Sequence, residues 1–197
     1  MLYLFGMLIA KPIIWLLFRP KVIGLKNLFC RGKAILVSNH WSLWDPVLLA
    51  AISPRVVRFM AKQELFTSKL KRFFFKTLYV FPVNRGHADI ASLKYAMSLL
   101  EKGKMFGIFP EGKRSVTGEL DELERGAAFL ALRCNAHIIP IYSSPDAFRK
   151  VRIRMIVGAP MDAQAIAAER KGKSTEVVTE AVRERLLVLK AEMEART

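Results

Sequence analysis

Acidic residues are scarce in the first half of this 197-residue chain. Residues 1–100 hold 15 Lys and Arg but only three Asp and Glu, whereas residues 101–197 hold 17 and 14. The whole chain carries a formal charge of +15. A balance so far from neutral predicts an anionic partner: a phospholipid surface, a nucleic acid, an acidic protein or a phosphorylated substrate. The basic surface is therefore expected in the N-terminal half.

Cysteine is rare, and internal repeats and low-complexity segments are missing. Cys30 and Cys134 form no C-x-x-C pair and have no His at ligand spacing, which argues against a disulfide framework and against a zinc site. Both are expected to be small buried hydrophobic residues. Hydrophobic residues make up 52% of the chain, which excludes disorder. The length predicts one domain, which we place over residues 21–197.

A long apolar run is also missing at the start of the chain. Residues 1–18 contain two apolar runs separated by Lys11 and Pro12, whereas a spanning helix needs about 20 mostly apolar residues. The order of charge and apolar residues does not fit a signal peptide. We predict that residues 1–20 associate with a membrane as a helix, or a bent pair of helices, lying in the interface. A helix packed on the domain's own core and a single membrane span are the alternatives.

A second candidate surface is the basic and aromatic segment 68–76. It places four cations around three successive residues, Phe73 to Phe75. Three adjacent side chains cannot all face one side of a helix, so at least one Phe should face outward. This segment could anchor the protein to a bilayer, stack nucleic-acid bases, or form an ordinary amphipathic helix.

Short apolar runs alternate along the chain with helix-like stretches. This alternation predicts an α/β fold, a single domain with a mostly parallel sheet flanked by helices and preceded by the apolar interface helix. The predicted strands are residues 34–37, 56–60, 79–83, 105–109, 138–142 and 151–157; the predicted helices are 47–52, 88–102, 122–134 and 175–195, with Ser174 as the cap of the last.

Chemistry-bearing residues follow several of the predicted strands, at the sheet edge where ligands bind in such folds. His40 follows the first strand, and Asp45 lies five residues further on. A turn of that length can bring the carboxylate to one imidazole nitrogen and leave the other free as a base. The alternative interpretation makes Asp45 a helix N-cap before Pro46. Ser42 lacks the glycines of a nucleophile elbow, so the hydroxyl should come from a substrate.

Loops after two other strands suit a phosphate group. Residues 109–115 read Phe-Pro-Glu-Gly-Lys-Arg-Ser, with a flexible glycine and two adjacent cations. Arg114 can bind two phosphate oxygens at once, and Arg85 is a second candidate. Each loop taken alone could be an ordinary charged loop in solvent.

The ordered set of these blocks resembles the glycerolipid acyltransferase family of the 1-acylglycerol-3-phosphate acyltransferase (PlsC) type. The family pattern is N-H-x-x-x-x-D, a block with an Arg after a strand, F-P-E-G-T-R-S, and a strand containing Pro. These blocks correspond to residues 39–45, 81–86, 109–115 and 138–142 of this chain. The resemblance covers about residues 20–160. Lys113 replaces the usual Thr and adds a charge.

The resemblance implies roles for particular residues. His40 would be the general base that activates the acceptor hydroxyl, and Asp45 would orient it. The hydroxyl would attack the thioester of acyl-CoA or acyl carrier protein. Arg85 and Arg114 would hold the acceptor phosphate, while Glu111 would shape the loop and bond the glycerol. The implied phosphate-binding set is Lys62, Arg85, Glu111, Gly112, Arg114 and Ser115.

The resemblance also implies an activity and its setting. The expected reaction acylates the sn-2 hydroxyl of 1-acylglycerol 3-phosphate and gives phosphatidate for phospholipid biosynthesis, with no metal and no bound cofactor. The expected partners are an anionic phospholipid membrane, the lysophospholipid and acyl carrier protein, but no nucleic acid. The expected location is the cytoplasmic face of the membrane. Glycerol 3-phosphate or another lysolipid is an alternative acceptor, and a non-catalytic basic membrane-binding module is the alternative outside enzymes.

Overall fold

The computed structural model describes residues 11–83, 90–115, 119–144 and 153–196. Residues 1–10 of the predicted membrane-associating segment lie outside this range. So do residues 84–89, which include Arg85 and the start of the helix predicted over 88–102, and the first two residues of the strand predicted over 151–157. Its strands are β1 (Lys21–Ile23), β2 (Ala34–Ser38), β3 (Val57–Lys62), β4 (Val80–Val83), β5 (Met105–Ile108), β6 (His137–Ser143), β7 (Arg154–Val157) and β8 (Met161–Asp162). Its helices are α1 (residues 11–18), α2 (Asp45–Ile52), α3 (Lys69–Thr77), α4 (Ile90–Glu101), α5 (Gly126–Cys134), α6 (Ala163–Glu169) and α7 (Ser174–Glu194), with short 3-10 helices at Leu25–Phe29 and Gln63–Phe66.

The described strands form one sheet in the order β1-β7-β6-β2-β5-β3-β4, with β8 paired to β6. Strand β2 is central, and all five of its residues are buried. It pairs in parallel with both β5 and β6, while β7 runs antiparallel to β6. Strands covered on both faces read as continuous apolar runs rather than alternating ones, which explains the sequence of β2.

Hydrophobic cores lie on both faces of the sheet. On one face, Ile14 of α1 and Leu48 of α2 pack with Leu36 of β2. On the other face, helices α4, α5 and α7 cover Ile35 of β2 and Phe106 of β5. Neighbouring residues of β2 therefore point into different cores, as the two-residue period of a strand requires. The predicted single α/β domain with a mostly parallel sheet is confirmed.

Several predicted boundaries and burials need correction. The helix predicted over 122–134 begins only at Gly126, and Ser174 is the first residue of α7, whose N-cap is Lys173. Cys134 is buried as expected, but Cys30 is only half-buried. Strands β1 and β8 and helix α6 were not predicted, because three, two and seven residues are too few for a clear hydrophobic period.

The described part of the N-terminal segment is a helix with one buried side and one exposed side. Ile14 is buried, and Lys11 Nζ donates to the carbonyl oxygen of Ser53 at 2.6 Å. Leu16 and Leu17 remain 71% and 59% exposed. Within the described residues, no helix combines the length and the apolar character that crossing a bilayer would require.

Candidate active site

The parallel strands bring the predicted site residues to one edge of the sheet. Strands β2, β3, β5 and β6 all end there, because each is parallel to its neighbour within this set. His40 follows β2, Lys62 ends β3, and the loop 109–115 follows β5. This edge is where open parallel sheets bind ligands. Arg85, predicted to join them, lies outside the described residues.

His40 and Asp45 form the pair that the sequence predicts. His40 Nδ1 lies 2.8 Å from Oδ2 of Asp45. The same oxygen accepts the backbone N–H groups of Trp41 and Ser42, at 2.6 and 2.7 Å. An acceptor carboxylate favours the tautomer with the proton on Nδ1 and leaves the lone pair of Nε2 available as a base.

The interpretation of Asp45 as a helix N-cap is wrong. Asp45 is the first residue of α2, and no side-chain hydrogen bond caps that helix. Its carboxylate, which is only 3% exposed, instead folds back over the turn that carries His40. Pro46 suits the start of α2, because the first helical turn needs no N–H donor there. Asp45 Oδ1 is buried and has no hydrogen-bond partner among the described residues.

Asn39 fixes the His40 turn to the end of β6. Its Oδ1 accepts the backbone N–H of Ser143 at 2.9 Å, and its Nδ2 donates to the Ser143 carbonyl oxygen at 2.9 Å. Trp41 Nε1 donates to the same carbonyl oxygen at 2.8 Å. Asn39 is 1% exposed, so these bonds form away from water, where leaving them unmade is costly.

The imidazole of His40 is also held by an aromatic stack. The Phe109 ring lies 4.2 Å from the His40 ring, centroid to centroid, at an interplanar angle of 22°. Phe59 follows in the stack, 6.1 Å from Phe109. A side chain at Gly107 would overlap the Phe59 ring. The glycine therefore makes room for Phe59, which supports the ring that faces the imidazole.

The loop 109–115 holds both backbone polar groups of His40. Glu111 Oε1 accepts the N–H of His40 at 2.9 Å, and the N–H of Ser115 donates to the His40 carbonyl oxygen at 2.9 Å. Glu111 Oε2 accepts the N–H of Asp121 at 3.2 Å. Burial raises the pKa of the Glu111 carboxyl, and the N–H groups of His40 and Asp121 oppose that rise. Glu111 thus fixes the main chain at His40 and Asp121 through its own carboxylate.

The remaining predicted phosphate ligands differ in their surroundings. Ser115 is buried and its hydroxyl donates to the carbonyl oxygen of Glu119 at 2.9 Å, which favours a positioning role. Gly112 adopts φ 66°, a left-handed conformation that glycine accepts without strain. Lys62 and Arg114 are exposed, and neither side chain has an ion pair or hydrogen bond to another described residue. These two cations are available to an anion.

Sequence reasoning missed several residues that build the site. Ser143 has no local signal, because its partners Asn39 and Trp41 lie more than 100 residues away along the chain. Phe59 and Gly107 read as ordinary strand residues.

In the described ranges, no cluster of three or more His, Cys, Asp or Glu side chains is placed to hold a metal ion.

A His–carboxylate pair at the carboxyl edge of a parallel sheet is an arrangement that can activate a hydroxyl brought by a substrate. The sequence model of the family described as Acyltransferase matches residues 19–144. This chain belongs to the Acyltransferase family, so it is an acyltransferase. The predicted family resemblance is confirmed.

Curated relatives agree with this family. A 1-acyl-sn-glycerol-3-phosphate acyltransferase of Bacillus subtilis (strain 168) is 31% identical over 180 residues, covering 88% of this chain and 89% of the relative. One of Streptococcus pneumoniae is 32% identical over 135 residues, covering 65% of this chain and 50% of the relative. The chain thus spans most of the first relative and half of the second.

A solved structure supports the fold. The 1-acyl-sn-glycerophosphate (LPA) acyltransferase PlsC from Thermotoga maritima matches with a TM-score of 0.69, covering 94% of this chain and 79% of that chain. The two sequences are 19% identical, so this likeness concerns the fold alone.

Proposed function

We propose that this acyltransferase moves a fatty acyl group from a thioester, of CoA or of acyl carrier protein, to the sn-2 hydroxyl of 1-acylglycerol 3-phosphate. The product is phosphatidate, used for phospholipid biosynthesis. The observation that carries the proposal is the His40–Asp45 contact at 2.8 Å, held by the loop that also presents Arg114. The names of the relatives support this choice of acceptor.

The proposed reaction uses His40 twice. Nε2 of His40 takes the proton from the acceptor hydroxyl as its oxygen attacks the thioester carbonyl carbon, and a C–O bond forms. The tetrahedral intermediate then collapses, the C–S bond breaks, and the proton passes from His40 to the departing sulfur. Asp45 stabilises the protonated imidazole through Nδ1 at 2.8 Å and holds its orientation.

The proposed acceptor phosphate interacts with exposed cations rather than with the buried motif residues. Arg114 and Lys62 have no other partner among the described residues, and a guanidinium can bind two phosphate oxygens. Arg85 is proposed for the same phosphate on the sequence pattern alone. Glu111, Gly112 and Ser115 contribute by fixing the shape of the loop that carries Arg114.

Membrane association is part of the proposal, at the cytoplasmic face, by a peripheral or monotopic contact. Helix α1 exposes Leu16 and Leu17 and also Trp15, which is 40% exposed. Exposed apolar and aromatic side chains on a helix suit the boundary between headgroups and acyl chains. The charge of +15 suits anionic headgroups, and the acyl chains of both substrates suit a site near a bilayer.

The decisive experiment follows thiol release in mild detergent, with acyl-CoA or acyl carrier protein as donor and with or without 1-acylglycerol 3-phosphate. We expect release that requires the acceptor and that falls by about 10² to 10⁴-fold in His40→Ala, which removes the base. His137→Ala is the matched control, because His137 is exposed at the start of β6. Thiol release that does not require an acceptor would contradict the proposal. So would a folded protein that releases no thiol with 1-acylglycerol 3-phosphate, glycerol 3-phosphate or other lysolipids.

A further inference from the structure

A cavity of about 750 Å³ lies beside the edge strand β4, and none of its lining residues is among those that build the His40 site. Its walls come from β3, β4, α3, α4 and the 3-10 helix Gln63–Phe66. Its volume lies in the range of small-molecule sites. Three of the lining residues, Arg58, Arg72 and Lys76, are cationic and none is acidic. The aromatic lining residues include Tyr79, Phe81 and Tyr95.

Within the described residues, no acidic side chain pairs with the cations of this cavity. Arg72 and Lys76 lie four residues apart on α3 and therefore share a face of the helix, where like charges destabilise it. Neither side chain forms an ion pair or hydrogen bond with another described residue. Arg58 adds a third charge, 4.9 Å from the centre of the Tyr79 ring. Cations that line one cavity, with no acidic partner among the described residues, indicate a site for a phosphorylated ligand.

The aromatic residues indicate what else the ligand carries. Tyr79 and Tyr95 are 39% and 49% exposed, so their rings remain accessible from solvent. Tyr95 meets Phe81 edge-on, with ring centroids 4.8 Å apart, which fixes the orientation of its ring. Aromatic side chains among cations bind nucleotide bases by stacking and phosphates by charge. The combination favours a nucleotide over a simple phosphate ion.

The position of the cavity connects it with the active site. Gln63, one of its lining residues, directly follows Lys62 at the carboxyl end of β3. A ligand in the cavity could therefore extend an arm past Lys62 toward the edge that holds His40. Acyl-CoA has this form, with a phosphorylated adenosine at one end and the thioester at the other. A folded carrier protein is too large to enter such a cavity.

We propose that the cavity beside β4 binds the 3′-phosphorylated adenosine diphosphate of acyl-CoA. This inference rests on the proposed function and deepens it by naming CoA as the carrier of the acyl donor. Arg58, Arg72 and Lys76 bind the phosphates, and Tyr79 or Tyr95 stacks on the adenine. The acceptor phosphate binds separately, at Arg114.

The first test removes two charges from the cavity. In detergent, Arg72→Gln/Lys76→Gln should raise the KM for acyl-CoA about tenfold or more, because charge-assisted contacts to phosphate are lost. The KM for 1-acylglycerol 3-phosphate should not change. Lys94→Gln/Lys104→Gln removes the same charge from exposed positions that do not line the cavity. In this control the KM for acyl-CoA should stay within about twofold of the wild type.

A second variant fills the cavity without changing charge. Thr67 is an exposed lining residue, and Thr67→Trp should raise the KM for acyl-CoA while the KM for an acyl-pantetheine, which has no nucleotide, remains unchanged. Adenosine 3′,5′-bisphosphate should compete with acyl-CoA in the wild-type protein. It should compete more weakly in Thr67→Trp and in Arg72→Gln/Lys76→Gln.

Several results would overturn the inference. An unchanged KM for acyl-CoA in Arg72→Gln/Lys76→Gln would do so, as would an equal rise in the Lys94→Gln/Lys104→Gln control. A loss of activity confined to the acyl carrier protein donor would assign the cations to that protein. A loss confined to binding of phosphatidylglycerol vesicles would assign them to the membrane. Failure of this inference can be distinguished from failure of the proposed function, because calorimetric titration with adenosine 3′,5′-bisphosphate measures binding and needs no turnover. Binding lost in Arg72→Gln/Lys76→Gln would support the cavity, and no binding to the wild type would refute it.

Discussion

The carboxylate of Glu111 accepts the backbone N–H of His40 at 2.9 Å, so a residue of the loop after β5 fixes the main chain of the proposed base. The second oxygen accepts the N–H of Asp121 at 3.2 Å. Both carboxylate oxygens are therefore used inside the protein. A positioning role requires these two bonds, whereas a role in binding the acceptor would require a further contact from a glycerol hydroxyl to the same carboxylate.

Glu111→Gln separates the two roles. The amide has one acceptor oxygen, so one of the two buried N–H groups loses its partner, at a cost of about 1–3 kcal/mol. A small displacement of His40 should lower kcat by about 10 to 100-fold and leave the acceptor KM unchanged. Steady-state kinetics with varied 1-acylglycerol 3-phosphate measure this. A raised acceptor KM with unchanged kcat would instead indicate direct contact with the acceptor.

The same variant predicts a pH dependence of stability. Burial raises the pKa of Glu111, so the folded state holds this proton more tightly than the unfolded state. The contribution is present in full below the unfolded pKa of about 4.3 and is lost as the pH rises through the raised value. The difference in unfolding free energy, wild type minus Glu111→Gln, should therefore fall as the pH rises from about 4 through the raised pKa. Denaturant unfolding at several pH values tests this, and a difference that rises with pH would refute it.

Asn39→Leu should disconnect the His40 turn from β6. The backbone N–H of Ser143 would lose its partner in a buried position, at a cost of about 1–3 kcal/mol, while the Ser143 carbonyl oxygen would keep only the bond from Trp41 Nε1. We expect a lower unfolding free energy and a lower kcat together. Asn27→Leu is the matched control, because Asn27 Nδ2 donates to the Val157 carbonyl oxygen elsewhere in the fold. It should destabilise the protein but leave kcat nearly unchanged; equal effects of both variants on kcat would contradict the positioning role.

The sequence predicts the core of this fold better than its site. Strand β2 is a continuous apolar run because both faces are covered, and such runs are visible without any structure. Asp45 before Pro46 fits an N-cap and a His40 partner equally well, since both use the same local pattern. The Asn39–Ser143 bonds join residues 104 apart, and no local period or propensity contains that information. Only the pairing of β2 with β6 brings them together.

Gly107→Ala should disturb the aromatic stack under His40. The added methyl group would overlap the Phe59 ring, and overpacking of this kind costs about 1–3 kcal/mol. Phe59 supports Phe109, which stacks on His40 at 4.2 Å, so kcat should fall as well. Gly126→Ala is the control, because no packing neighbour lies within 4 Å of the position that its added Cβ would occupy. Thermal unfolding and kcat measure both effects, and wild-type values for Gly107→Ala would refute the supporting role of the stack.

Leu16→Ser/Leu17→Ser should weaken membrane binding without unfolding the protein. Both side chains are largely exposed, so their loss removes little core packing. Burying a Leu in an apolar phase contributes about 1.5–3 kcal/mol, and binding to phosphatidylglycerol vesicles should fall about tenfold or more. Val188→Ser, at a 46% exposed position of α7, is the control. Equal sedimentation of all three proteins with vesicles would show that α1 is not the contact.

Asp45→Asn tests the carboxylate that the site is built around. The amide oxygen can still accept the N–H groups of Trp41 and Ser42, so the turn should fold. It carries no charge to stabilise a protonated His40, and its NH2 group can donate to Nδ1 and select the wrong tautomer. We therefore expect kcat to fall about 10² to 10⁴-fold with little change in the acceptor KM.

The control for Asp45→Asn is an equivalent change at a carboxylate far from the chemistry. Asp162 caps α6 by accepting the N–H groups of Gln164 and Ala165, and Asn is as good an N-cap as Asp. Asp162→Asn should therefore retain both activity and stability. If Asp45→Asn also retained activity, the charge of Asp45 would not assist His40, and the carboxylate would serve only to hold the turn through its bonds to Trp41 and Ser42.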